Sequence, residues 1–126
     1  MKTTQGKAVS ALIAINRISG QKMPSFAAYK LFRLRKKLKD VAEFQSEQEE
    51  KLVEELGGKI NELGNVIWND LSEKAAKDAE YAKRHKELED MECEIDTEKI
   101  MMTFKEISEI TPRDMEAMDD FIEWKE

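Results

Sequence analysis

Between Ala27 and Leu52 one set of residues recurs in alternating steps of four and three: Ala27, Leu31, Leu34, Leu38, Val41, Gln45, Gln48 and Leu52. A strand cannot place such a set on one side, because its side chains alternate with period two. The spacing therefore predicts a long helix, opened by Pro24, where a missing N–H costs nothing, and running to about Leu56. At about 1.5 Å per residue such a helix approaches 50 Å. Phe26, Tyr29, Phe32 and Phe44 are expected to widen its apolar face. Gln45 and Gln48 are polar at core-like positions, so the far half should pack less firmly.

Everything else must fit around that rod. Val9, Leu12, Ile13 and Ile15 to Ile18 read as a short amphipathic helix stopped at Ser19-Gly20. Gly57-Gly58 is the best interior break. Ile60, Leu63, Ile67 and Leu71 keep a helical spacing beyond it, but three Gly within eight residues are costly in a helix. A hairpin or irregular loop over 59–69, two short strands around Leu63-Gly64-Asn65, is the favoured reading. A second helix is expected from about Asp70 to Asp90. Its small-residue stripe, Leu71, Ala75, Ala79 and Ala82, would lie antiparallel on the long helix. Met91, Cys93 and Ile95 then alternate with acids, a half-buried strand that Ile100 to Phe104 could extend or pair with. Thr111-Pro112-Arg113-Asp114 supplies an N-cap, a Pro at the first helical position and an early acid. A closing helix should follow, with Met115, Met118, Phe121 and Ile122 on one face and Trp124 near its end.

These elements give a helix-dominated α+β fold: a long antiparallel helical hairpin, a small β element near 91–104 and a C-terminal capping helix. With 126 residues, one domain is expected. Two Pro and five Gly leave few turns, and 38% charged residues leave a lean core. A lean core beside a heptad stripe suggests a homo-oligomer.

Charge is segregated along the chain. Residues 1–39 hold ten Lys or Arg and no acid, whereas residues 40–126 hold all 27 acids and 11 bases. A basic head and an acidic body would set assembly register and association rate more than affinity. The basic cluster Lys30, Arg33, Arg35, Lys36, Lys37 and Lys39 could neutralise phosphates, which makes a nucleic-acid-binding module the alternative function. Against this, the cluster is not a clean stripe and no aromatic platform accompanies it. The favoured reading is a solvated face, or one that pairs with the acidic half of this chain or of a second copy.

Catalytic chemistry has little footing. His85 and Cys93 are the only residues of their kinds, too few for a zinc site and without a nucleophile motif. The acids from Glu87 to Glu98 lack EF-hand spacing, and Glu92 to Asp96 read as the wet face of a strand. Gly57-Gly58-Lys59 lacks the remainder of a P-loop. No enzyme activity, cofactor or metal is expected. No apolar run is long enough to cross a membrane, the apolar run Ala8–Ile15 lacks a signal-peptide cleavage site, and one Cys fits a reducing compartment. The methionines Met91, Met101, Met102, Met115 and Met118 read as core filler or as a partner groove.

Several segments together resemble a known group. They are Lys22-Met23-Pro24 leading into Tyr29-Lys30-Leu31, the Glu-rich end of Leu38 to Leu56, the Met91 to Ile95 strand, and Ile110-Thr111-Pro112-Arg113-Asp114-Met115. Their order is similar to that of small proteins encoded by tailed phages and prophages of Gram-positive bacteria, over about residues 8–124. The group brings no activity or site residues to transfer. The resemblance implies a non-enzymatic accessory protein of the bacterial host cytoplasm or the virion. It would act by protein–protein contact, in virion assembly or by modulating a host factor such as a defence system. An acidic body could also imitate nucleic acid towards a basic host protein. The residues expected to meet a partner are Arg33, Arg35, Lys36 and Lys37 on the basic head and Met115, Met118 and Phe121 on the last helix.

Overall fold

The computed structural model describes residues 1–126. Strand β1 (Lys2–Thr4) leads into helix α1 (Gln5–Ile18), and helix α2 (Ser25–Glu55) follows after a short turn. Strands β2 (Gly58–Ile60) and β3 (Val66–Trp68) form a hairpin. A 3-10 turn (Leu71–Glu73) opens helix α3 (Lys74–Glu89), which runs back along α2. Strands β4 (Glu92–Glu94) and β5 (Ile100–Thr103), helix α4 (Pro112–Met118) and strand β6 (Ile122–Lys125) complete the chain. Helices dominate, and the strands sit in three two-stranded sheets.

The heptad stripe is the buried face of α2. Ala27, Leu31, Leu34, Leu38, Gln45 and Leu52 are buried, while Val41 and Gln48 are half-buried. One chain therefore covers most of the stripe, which weakens it as an argument for a second copy. On α1 the face differs from expectation. Ala8, Ala11, Ala14, Ile15 and Ile18 are buried, whereas Ile13 is 46% exposed. Small alanines let α1 lie close against α2 and α4.

One apolar cluster of fifteen residues combines α1, the first half of α2, and Ile95, Met102, Ile107, Met118, Phe121 and Ile122. No residue between Leu38 and Ile95 belongs to it. The molecule thus divides into a body, built from residues 1–39 and 91–126, and an arm formed by residues 40–90.

Polar ties follow the same division. The Arg17 guanidinium donates to Asp114 Oδ1 at 2.7 Å, and Lys30 Nζ donates to the Met101 carbonyl at 2.8 Å and meets Glu106 at 3.3 Å. Lys37 Nζ donates to the Asp96 carbonyl, and Lys7 faces Asp120 at 3.5 Å. Gln21 exchanges bonds with the backbone N–H and carbonyl of Glu109. The basic head pairs with the acidic tail of its own chain.

The hairpin over 58–68 is present. Gly57 takes φ of 86° just past α2, the left-handed stop that glycine adopts without strain. A Cβ at Gly58 would lie 2.5 Å from the Trp68 ring, so only glycine lets that ring lie across its cross-strand partner.

Three expectations need correction. The stripe Leu71, Ala75, Ala79 and Ala82 is exposed, and α3 instead lays Tyr81, Arg84, His85 and Leu88 against its neighbours. Long amphipathic side chains can bridge a gap that alanines cannot span. The β element is not one unit: β4 pairs antiparallel with β1, and β5 pairs parallel with β6. Finally, α4 has the predicted cap, with Thr111 Oγ1 accepting from the Asp114 N–H at 3.2 Å, but it stops at Met118. Phe121 turns into the core, and Ile122 and Trp124 belong to β6.

Candidate interaction face

Because Ala27, Leu31, Leu34 and Leu38 point inward, residues about half a turn away must point outward. Those residues are Tyr29, Phe32, Arg33 and Lys36, flanked by Phe26, Arg35 and Lys39. Phe26 is 69% exposed, Tyr29 54% and Phe32 50%. The aromatics expected to widen the core face instead stand in solvent among the cations, where no platform was expected. The signal was angular and present in the sequence: Tyr29 and Lys36 repeat the heptad step on the face opposite Ala27 and Leu34.

The cations fall into two groups. Lys30 and Lys37 turn towards the C-terminal segment and are held there. Lys30 also lies 4.8 Å from the Phe26 ring centre. Arg33 sits over Tyr29 at 5.9 Å, and Lys39 meets Glu43 one turn on. Arg33, Arg35 and Lys36 have no acidic partner in the chain. Residues 22–39 hold seven bases and no acid.

Beside this face an open cleft of about 860 Å³ separates α2 from the 94–100 segment. Tyr29, Arg33 and Lys37 form one wall, and Glu94, Asp96 and Glu98 the other. Walls of opposite sign do not focus one charge, so the cleft is no anion pocket.

Of the sequence-named partner residues, Arg33, Arg35 and Lys36 reach solvent, and Lys37 is engaged internally. Met118 and Phe121 are fully buried and Met115 is half-buried, so the last helix offers no apolar docking face. Of the other methionines, Met102 is core, while Met91 and Met101 are exposed on different strands or turns.

His85 sits between two carboxylates, with Nε2 3.2 Å from Glu49 and Nδ1 2.7 Å from Glu89, and stacks on Tyr81 at 5.4 Å. Burial, with Glu49 and Glu89 nearby, pushes the Tyr81 hydroxyl pKa up. This cluster fastens α3 to α2. Cys93 lies half-buried on β4, and burial beside Glu94 raises its thiol pKa, the opposite of what activates a nucleophile. Glu92 and Glu94 form the exposed side of β4, and no group of three or more His, Cys, Asp or Glu is arranged to hold a metal ion. No helix is long and apolar enough to cross a membrane. Comparisons with protein-family models, with curated proteins and with solved structures find no match to this chain.

Proposed function

We propose that this is a phage-encoded accessory protein that acts by binding another protein, through the outward face of the first half of α2. One observation carries the reading: exposed Phe26, Tyr29 and Phe32 stand beside Arg33, Arg35 and Lys36, cations without internal partners. Aromatics and Arg are the residues that protein interfaces favour, and they supply most hot spots. The complementary partner is an acidic protein surface with apolar side chains. The phage setting, with a role in virion assembly or host-factor modulation, is supported by the order of sequence motifs alone.

A second reading has its own observation. Exposed aromatics between bases also suit single-stranded nucleic acid, since rings stack on bases while cations track phosphates. The arm works against it, because its 15 acids outnumber its seven bases and the excess negative charge repels phosphate.

The test is recovery of the tagged protein from cells in which the phage is growing, with and without Arg33→Glu, Arg35→Glu and Lys36→Glu. A phage structural protein or one host protein should co-purify with the native chain and be lost from the triple variant. Recovery that survives the reversal removes the face from the mechanism. Nucleic acid in the eluate, lost steeply with salt, would install the second reading.

A further inference from the structure

The far end of the arm is the counterpart of the α2 face. Leu63 is 85% exposed and Leu71 74%, the two most exposed large apolar side chains in the molecule, and Ile67 between them is 40% exposed. In the same segments Glu54, Glu62 and Asp70 are exposed and have no basic partner in the chain, whereas Glu55 and Glu73 pair with Arg84 and Lys77. The α2 face is the inverse: exposed rings beside Arg33, Arg35 and Lys36, cations with no acidic partner in the chain.

These two patches cannot meet within one chain. Both are fixed to α2, a single helix of 31 residues, and about 35 Å of that helix separates them. Nothing in the chain bends the helix back, since both Pro residues lie outside its interior, at 24 and 112.

We infer that the α2 face of one molecule receives the acidic, Leu-tipped arm end of a second copy, so that the protein associates head to tail. The inference rests on the binding role given to that face above, and names its partner. Charge complementarity steers and orients the encounter, and Leu63 and Leu71 against Phe26, Tyr29 and Phe32 supply the apolar contact. The two patches differ, so the contact is heterologous: copies either close into a ring or extend as a filament.

Sedimentation velocity over a concentration series, at low and high salt, tests this on the full chain. The native protein should grow beyond a dimer with concentration, and less so at high salt. Arg33→Glu with Lys36→Glu removes the face, and Leu63→Lys with Leu71→Lys removes the tip. All four side chains are exposed, so the fold should survive, which circular dichroism checks. Each double variant alone should weaken association at least about tenfold. Mixed together, one retains an intact tip and the other an intact face, and a one-to-one complex should form.

A native chain that stays monomeric at every concentration overturns the inference. So does a closed dimer that neither variant disturbs, or a mixture that stays monomeric. If self-association fails while face reversal still strips a partner in the recovery experiment, only the identity of the partner is lost. If recovery also ignores the reversal, the binding role falls with it.

Discussion

The body and the arm share one helix but are held together by different means. In the body, 14 bases and 12 acids nearly balance, and the cations of the first 39 residues meet acids of the last 36 across a fifteen-residue apolar cluster. In the arm, seven bases face 15 acids, and the only buried residues are Gln45, Leu52, Val53 and Trp68. Helix α3 has no buried residue at all. It is attached by the Trp68–Tyr81–His85 row of rings, by the Trp68 indole N–H donating to Asp78 at 2.7 Å, and by Arg84 reaching Glu55 at 2.9 Å. The lesson is that a heptad stripe fixes the helix but not how much each half of it buries. Where Leu gives way to Gln45 and Gln48, the partner helix is held by edges and charges.

The largest effect should come from the body. Phe121→Ala empties a fully buried site and should cost about 3–5 kcal/mol. Denaturant unfolding should show body and arm lost together. An arm that outlives the body would break the comparison, because it would show that the arm stands alone.

Gly58→Ala should act in the arm only. Its methyl group would collide with the Trp68 ring and the Ile67 carbonyl, costing about 2 kcal/mol as the hairpin shifts. Hydrogen exchange should accelerate in residues 58–89 while α1 and α4 keep their protection. Equal acceleration in the body would mean that the two regions form one cooperative unit.

Asp114→Ala should cost about 1–2 kcal/mol. It removes the bond to Arg17 from a carboxylate that is only 4% exposed. Its effect belongs to the body, read from the denaturation midpoint.

Acid should sharpen the contrast further. The Thr103 backbone N–H, then Lys30, holds the Glu106 carboxyl below its ordinary range. A depressed folded value means that its stabilisation is fully present at neutral pH and is lost as pH falls below about 4. Glu106→Gln should therefore reduce stability near neutrality by about 1 kcal/mol and flatten the acid limb of a midpoint-versus-pH curve.

The smallest effect should come from Ala79→Gln on the exposed side of α3, within about 0.5 kcal/mol. A larger loss would restore the small-residue stripe as a packing face.

What could be read in advance was local or periodic. The α2 stripe, the glycine stop at Gly57, the hairpin and the Thr111-Pro112 cap each rest on a few adjacent residues with a strong conformational bias. The pairing of β1 with β4 and of β5 with β6 was not legible, because three- or four-residue strands carry almost no pattern and their partners lie far off in sequence. The aromatics of α2 misled for a related reason. Phe26, Tyr29 and Phe32 are hydrophobic enough to suggest burial, but topology placed no element over them. Of the candidate site, the cations were read correctly, while the outward angle of the rings was present in the spacing of Tyr29 and Lys36 but was masked by the rings' hydrophobicity. The apolar half assigned to Met118 and Phe121 proved to be core, because the chain turns at Asp119 and carries Phe121 inward.

The body has one more property, which concerns time rather than strength. Its ties join residues almost a whole chain apart: Arg17 to Asp114 spans 97 positions, whereas Trp68 to Asp78 in the arm spans ten. On a ribosome every partner the arm needs within itself is available once residue 89 emerges, but α1 and the first half of α2 wait, greasy side out, until Ile122 arrives, and until then the arm has no body to hold it. The region with the larger buried core is the later one to be completed, so the apolar faces of α1 and α2 stay uncovered longest during synthesis.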